Sequence, residues 1–173
     1  RTIIIGDIHG CLEELQELLD AVEWDKNKDR VIFCGDLVDR GPDSLGVVRF
    51  AKKHNIEVVL GNHEDKYIRF HKHEKRARRD KSYKNPMKFS DNKLNIYSTF
   101  TDEDIAYMAT FPRYISITDK VKVIHAGLDA TRPFKKQHKE AYVYGRFVND
   151  AGRLQSGTLS GEGLHFWADK WPG

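Results

Sequence analysis

Four short apolar runs, each ending abruptly in a polar turn, constrain this chain more than any other feature. They are Thr2–Ile5, Arg30–Cys34, Glu57–Leu60 and Lys122–Ile124. Each is rich in β-branched residues and almost uninterrupted, as strands buried on both faces are. Between the first two, Leu12, Leu15, Leu18, Leu19 and Val22 recur at helical spacing, so CLEELQELLDAVEW reads as an amphipathic helix of about three turns. Ser44 to His54 reads as a second helix, with Asp43 or Ser44 as its N-cap behind Pro42. Strand, helix, strand, helix, strand implies parallel βαβ units with right-handed crossovers and helices covering the sheet, an α/β fold.

With 173 residues, 39% of them hydrophobic, the chain is of single-domain size and can build a real core. No apolar run approaches the roughly 20 residues of a membrane span, and no signal peptide is visible in a sequence that starts at Arg1. Cys11 and Cys34 follow neither a metal nor a redox spacing and sit beside apolar segments. They read as buried thiols, which favours a reducing, cytoplasmic setting. The net charge of +3 is too small to define a nucleic-acid binder, but it is unevenly spread. Lys66 to Lys93 is dense in lysine and arginine, with Pro86 as a breaker. That stretch reads as a solvated helix and loop inserted beyond the sheet, or as a lid or polyanion-steering surface.

Every apolar run delivers chemistry at its carboxyl end. Gly6-Asp7-Ile8-His9-Gly10 follows the first run, and Gly35-Asp36 with Asp39-Arg40-Gly41 follows the second. Gly61-Asn62-His63-Glu64 follows the third, and His125-Ala126-Gly127 the fourth. In parallel α/β sheets these ends form one rim, where ligands bind. Singly, each motif has an ordinary reading: Asp-x-His as a turn or capping pair, Asn62 as an Asx turn, His125 as a core histidine. Their succession in one order, each after an apolar run, is hard to explain by packing. Mixed oxygen and imidazole donors suit manganese, iron or zinc. An acid shared by two ions, here Asp36, would hold them about 3.5–4 Å apart, the two-metal arrangement for phosphoryl oxygens.

GDIHG, GDLVDRG, GNHE and HAG together resemble the calcineurin-like metallophosphoesterases, in the phosphoprotein-phosphatase branch whose second block carries Asp-Arg-Gly. HAGLDA, Gln137 and Tyr144-Gly145-Arg146 are most similar to bacterial and phage members of that branch, including the symmetrical diadenosine tetraphosphatase-like proteins. The resemblance implies a four-layer αββα fold, a β-sandwich flanked by helices, and a single catalytic domain over 1–173 with a basic insertion at about 66–93. It implies two divalent metal ions, manganese first, with iron or zinc as alternatives. Asp7, His9 and Asp36 would hold the first, and Asp36, Asn62 and His125 the second. His63 would be the general acid, oriented by Asp39, while Arg40 and Arg146, with Asn62, would grip the phosphate.

Family members also carry a late Gly-His pair whose histidine completes the second metal, and this sequence stops at Trp171-Pro172-Gly173 without it. The expected activity is hydrolysis of phosphate esters or anhydrides by metal-bound hydroxide. The partner is a phosphorylated substrate (a phosphoprotein, a nucleotide or a nucleic-acid end) and no membrane. The rival reading is a catalytically weakened protein on the same fold that holds nucleic acid or another polyanion.

Overall fold

The computed structural model describes residues 1–155 and 163–172, so Gly173, which closes the Trp171-Pro172-Gly173 stretch, lies outside the described residues. The chain forms two compact units, Arg1–Pro112 and Arg113–Gly173. In the first, the elements run β1 (Thr2–Ile5), α1 (Leu12–Ala21), β2 (Arg30–Phe33), α2 (Ser44–Lys53), β3 (Glu57–Val58), α3 (Asn62–Arg79), α4 (Asp91–Thr99) and α5 (Asp102–Met108).

The three strands form one parallel sheet in the order β1-β2-β3. Central β2 carries Ile32 and Phe33, both fully buried. Removing side chains of this size from water stabilises the fold by about 2 kcal/mol each. Register then places the chemistry. Ile5 lies opposite Phe33, and Phe33 opposite Val58, so all three strands end at nearly the same level. The polar turns behind them are thereby delivered to one edge.

Helix α1 buries Leu15 and Leu19, the inner face of the leucine repeat, while Leu18 stays 43% exposed. Helix α2 buries Val47, Val48 and Ala51. Its N-cap is Asp43, whose carboxylate accepts from the Gly46 amide at 2.7 Å. The third strand is shorter than the apolar run predicts. Val59 still donates to the Phe33 carbonyl, but the Leu60 amide turns to Pro112 O at 2.7 Å, so ladder pairing stops there.

The basic stretch forms a helix and a connection, and most of its lysines and arginines are exposed. Its first part is the body of α3, an 18-residue helix that begins inside the Gly-Asn-His-Glu motif. Acids Glu64 and Asp65 occupy the first turn and Arg76, Arg78 and Arg79 the last, the charge order that complements the helix dipole. Apolar material is also present. Phe70 stacks on Phe89 at 4.0 Å, and Tyr67, Tyr97 and Phe100 join them edge-on. This aromatic cluster anchors the 80–93 connection to α3 and α4.

The second unit holds β4 (Tyr114–Ser116), β5 (Lys122–Ile124), a 3-10 turn at Phe134–Lys136, α6 (Ala141–Tyr144), β6 (Phe147–Asn149), β7 (Leu164–Phe166) and α7 (Trp167–Lys170). The fourth apolar run is therefore not a further parallel strand: β5 pairs antiparallel with β4, and β6 with β7. The connection from Ser116 to Lys122 is too short for a parallel crossover, so a hairpin forms instead. Among the described residues, no helix is long and apolar enough to cross a membrane.

Candidate active site

Two loops of the first unit are zipped together by their backbones. Ile8 and His9 both donate to the Asp36 carbonyl, Gly10 donates to Leu37 O, and Gly41 donates back to His9 O at 2.7 Å. This closure forces unusual backbone. His9, Asp36, Asp39 and Arg40 all have positive φ, between 48° and 70°. Non-glycine residues rarely adopt this conformation, and such strain concentrates where side chains must be aimed. Glycine is required at one further point. A Cβ on Gly61 would lie 2.2 Å from the Asp36 amide nitrogen and 2.3 Å from Oδ1 of that residue.

The side chains converge at this closure. Asp36 is 3% exposed, and its Oδ1 accepts from the His63 amide at 3.0 Å. Its Oδ2 lies 3.8 Å from Nε2 of both His9 and His63. Asp7, beyond β1, places Oδ2 3.8 Å from the same His9 nitrogen. His9, Asp36 and His63 thus offer ligand atoms within 4.8 Å of one another. The His9 ring is decisive. Its Nδ1 meets Val38 O at 2.8 Å, and since a carbonyl only accepts, Nδ1 carries the proton. Nε2 is buried and has no hydrogen-bond partner, 3.8 Å from carboxylate oxygens of Asp7 and Asp36. An imidazole fixed through one nitrogen, with the other orphaned and facing two carboxylates, fits a divalent cation.

Beside this cluster lies a second one, centred on Asp39. The His63 Nδ1 is 2.5 Å from its Oδ2, and Lys93 Nζ bonds the same oxygen. The Tyr67 hydroxyl donates to Oδ1, and the Asp39 amide donates to Ser44 Oγ at 3.0 Å. Burial works to raise the Asp39 pKa, but His63, Lys93 and Tyr67 together hold it well below the usual carboxylate range.

Three residues here receive no role from the motifs: Glu64 (although it closes Gly-Asn-His-Glu), Tyr67 and Lys93. Glu64 is completely buried, and its two oxygens accept from the amides of Asp36, Leu37, Val38 and Gly61. It fastens the Asp36–Val38 turn to the start of α3. Burial, and then the Asp36 charge, push its carboxyl up to about 8, while the surrounding amides favour the ionised form. An acid at the third helical position was the available signal. Lys93 had none, because it lies 54 positions from Asp39.

The remaining expected residues are placed as follows. Asn62 is the first residue of α3 and is half-buried, and Arg40 is exposed. His125 and Arg146 belong to the second unit, His125 directly after β5 and half-buried, Arg146 exposed before β6.

Known proteins share this arrangement of sequence and fold. A family model described as calcineurin-like phosphoesterase matches residues 1–169. The symmetrical bis(5'-nucleosyl)-tetraphosphatase of Coxiella burnetii (strain Dugway 5J108-111) is 56% identical over 65 residues, 37% of this chain and 22% of that protein. Its counterpart from Buchnera aphidicola subsp. Baizongia pistaciae is 41% identical over 98 residues, 56% of this chain and 35% of its own. A solved structure described as a candidate diadenosine tetraphosphatase superposes with a TM-score of 0.79 at 30% identity, covering 99% of this chain and 70% of the other. The chain spans between 22% and 35% of the length of these two curated relatives.

Proposed function

The chain belongs to the calcineurin-like phosphoesterases, and from that premise we propose that it hydrolyses phosphoric anhydrides and esters, with nucleoside polyphosphates as its substrate class. The observation that carries this reading is the pairing of His63 with Asp39 at 2.5 Å beside Asp36 and the unpartnered His9 Nε2. A proton-donating group is thereby set next to a cation-binding group. The relatives described as tetraphosphatases support the choice of substrate class.

Membership of the family implies divalent metal ions, and manganese is the proposed one, with iron or zinc as alternatives. Asp7, His9 and Asp36 would hold the first, and Asp36, Asn62 and His125 the second. Bound there, the ions would supply a water acidified to a pKa of about 7 and positive charge for the phosphoryl oxygens. The chain's own residues do the rest. Arg40 and Arg146, with Asn62, hold the non-bridging oxygens and align phosphorus for attack. Water, its first proton already released to solvent, forms the new bond to phosphorus through its oxygen as the bond to the leaving oxygen breaks. His63 passes its Nε2 proton to that leaving oxygen, while Asp39 accepts from Nδ1 and holds the ring in place. The basic segment at about 66–93 would draw polyanionic substrates toward this catalytic domain. A reducing, cytoplasmic setting belongs to the same reading, supported by Cys11 and Cys34 not being joined in a disulfide.

The test is hydrolysis of diadenosine tetraphosphate, a phosphopeptide and p-nitrophenyl phosphate, with and without added manganese. Metal-dependent cleavage, fastest on the tetraphosphate, is expected. No metal-dependent cleavage of any of the three overturns the proposal.

A further inference from the structure

We propose that Lys93 is a positioning residue for His63, acting through the Asp39 carboxylate. This rests on the reading of His63 as the general acid.

A carboxylate offers about four acceptor directions on two oxygens. Tyr67 takes one on Oδ1 of Asp39, while His63 Nδ1 and Lys93 Nζ share Oδ2. Asp39 is 4% exposed, so a direction left open there is not readily filled by solvent. Rotation of a carboxylate about its last bond is soft. Its plane is set by whatever its oxygens touch, and here that is one hydroxyl and one ammonium on opposite oxygens. With the plane set, Oδ2 presents a fixed direction to His63 Nδ1, and the ring is aimed from behind.

Lys93 is itself held in position. Its ammonium lies 5.6 Å from the Tyr67 ring centroid and 5.7 Å from that of Phe89, favourable distances for a cation against aromatic faces. Tyr67 therefore meets Lys93 through its ring and Asp39 through its hydroxyl. The lysine comes from the first turns of α4, far in sequence from every strand-end motif. A plain ion pair tying α4 to the loop would stabilise the fold without touching the chemistry. The two roles differ in what they do to the leaving group.

The experiment compares the protein with Lys93→Met, Lys93→Arg and His63→Asn on aryl phosphates of rising leaving-group pKa and one alkyl phosphate. Metal content and melting temperature are measured alongside. If Lys93 positions the acid, Lys93→Met lowers kcat on the alkyl phosphate about 10-fold, as loss of a supporting partner does. On p-nitrophenyl phosphate, whose leaving group needs little protonation, it lowers kcat by less than about twofold. KM and metal content stay unchanged, and Lys93→Arg recovers much of the loss.

If His63→Asn steepens the leaving-group dependence and Lys93→Met does not, the inference about Lys93 is wrong and the general acid stands. If His63→Asn itself leaves the dependence unchanged, the general-acid reading fails and the Lys93 role falls with it. Should Lys93→Met lower the folded fraction, Lys93→Leu, which likewise has no N–H donor, takes its place with the same outcomes.

Discussion

The two ends of α3 use the same helix for opposite purposes. At its first turn the Glu64 side chain is out of solvent altogether and accepts from four backbone amides, and the His63 amide is committed to Asp36. At its last turns Lys72, Lys75, Arg76, Arg78 and Arg79 are all exposed. Helical rise separates Glu64 from Arg79 by about 22 Å. At the buried end each polar group has a specified partner, so its removal leaves another group unsatisfied. At the exposed end Arg76 lies over the Tyr83 ring and Lys75 pairs with Asp102, but solvent can replace most of what is taken away. Changes at the first end should therefore reach the rate and the fold, and changes at the second should reach only the approach of charged ligands.

The sharpest break in this contrast would come at Asp36, which meets the first turn of α3. Asp36→Asn is expected to lower kcat/KM by about 10³-fold or more, the scale of the several kcal/mol that bound ions contribute. Metal retained after dialysis should fall with it. A variant that keeps both its metal and its rate would remove Asp36 from the shared position.

Next in size is Glu64→Ala. It leaves buried amides unsatisfied and should destabilise the fold by about 3–5 kcal/mol in urea unfolding. Arg78→Ala, on the same helix, should stay within about 0.5 kcal/mol. Equal losses at the two positions would dissolve the comparison.

A smaller effect tests whether a buried acid can anchor away from the Asp36 cluster. Asp104 caps α5 through the amide and hydroxyl of Thr101 and pairs with Arg49 of α2 at 3.0 Å. Arg49 is the main reason its pKa falls to about 2. A depressed carboxyl pKa stabilises the fold above its unfolded value near 4, and that stability is lost as pH falls from about 4 through 2. About 1–2 kcal/mol should disappear across this window in the native protein, and Asp104→Ala should show a flatter acid profile by calorimetry.

The least effect belongs to the exposed end. Replacing Arg76, Arg78 and Arg79 together by Gln should raise KM for a tetraphosphate about threefold at low ionic strength, with kcat unchanged. The difference should vanish near roughly 0.5 M salt, where the screening length is only a few Å. A shift equally large for p-nitrophenyl phosphate would return these arginines to an ordinary solvated face.

How much of this can be read in the residues depends on the range of the forces involved. Strands β1 and β2 and helices α1 and α2 are legible because apolar periodicity and capping act within a few positions, as Leu15, Leu19 and Asp43 illustrate. The direction of β5 is not, since a β-branched run looks the same in a hairpin and in a parallel sheet. The early end of β3 depends on Pro112, far along the chain. In the candidate site, Asp7, His9, Asp36, Asp39 and His63 announce themselves beside glycines at strand ends. Glu64 sits inside a recognised motif, but its four amide partners come into reach only once the strands are in register. Lys93 stands in a run of charge that resembles any solvated surface. Packing of Phe89 on Phe70 and Tyr67, with Asn85 bonded to Glu74, brings that run against Tyr67 and Asp39.

The left-handed backbone at His9, Asp36, Asp39 and Arg40 also governs the order in which the centre can come together. Each such residue disfavours its own conformation by about 1 kcal/mol in an isolated segment. Neither loop holds its shape alone, and the shape persists only while Ile8, His9, Gly10 and Gly41 share their hydrogen bonds across the two. Those bonds link segments more than a helix apart, so the intervening chain must close before any of the strain is offset. His9, Asp36 and Asp39 are therefore expected to take up their positions together, when the two loops close, rather than one by one.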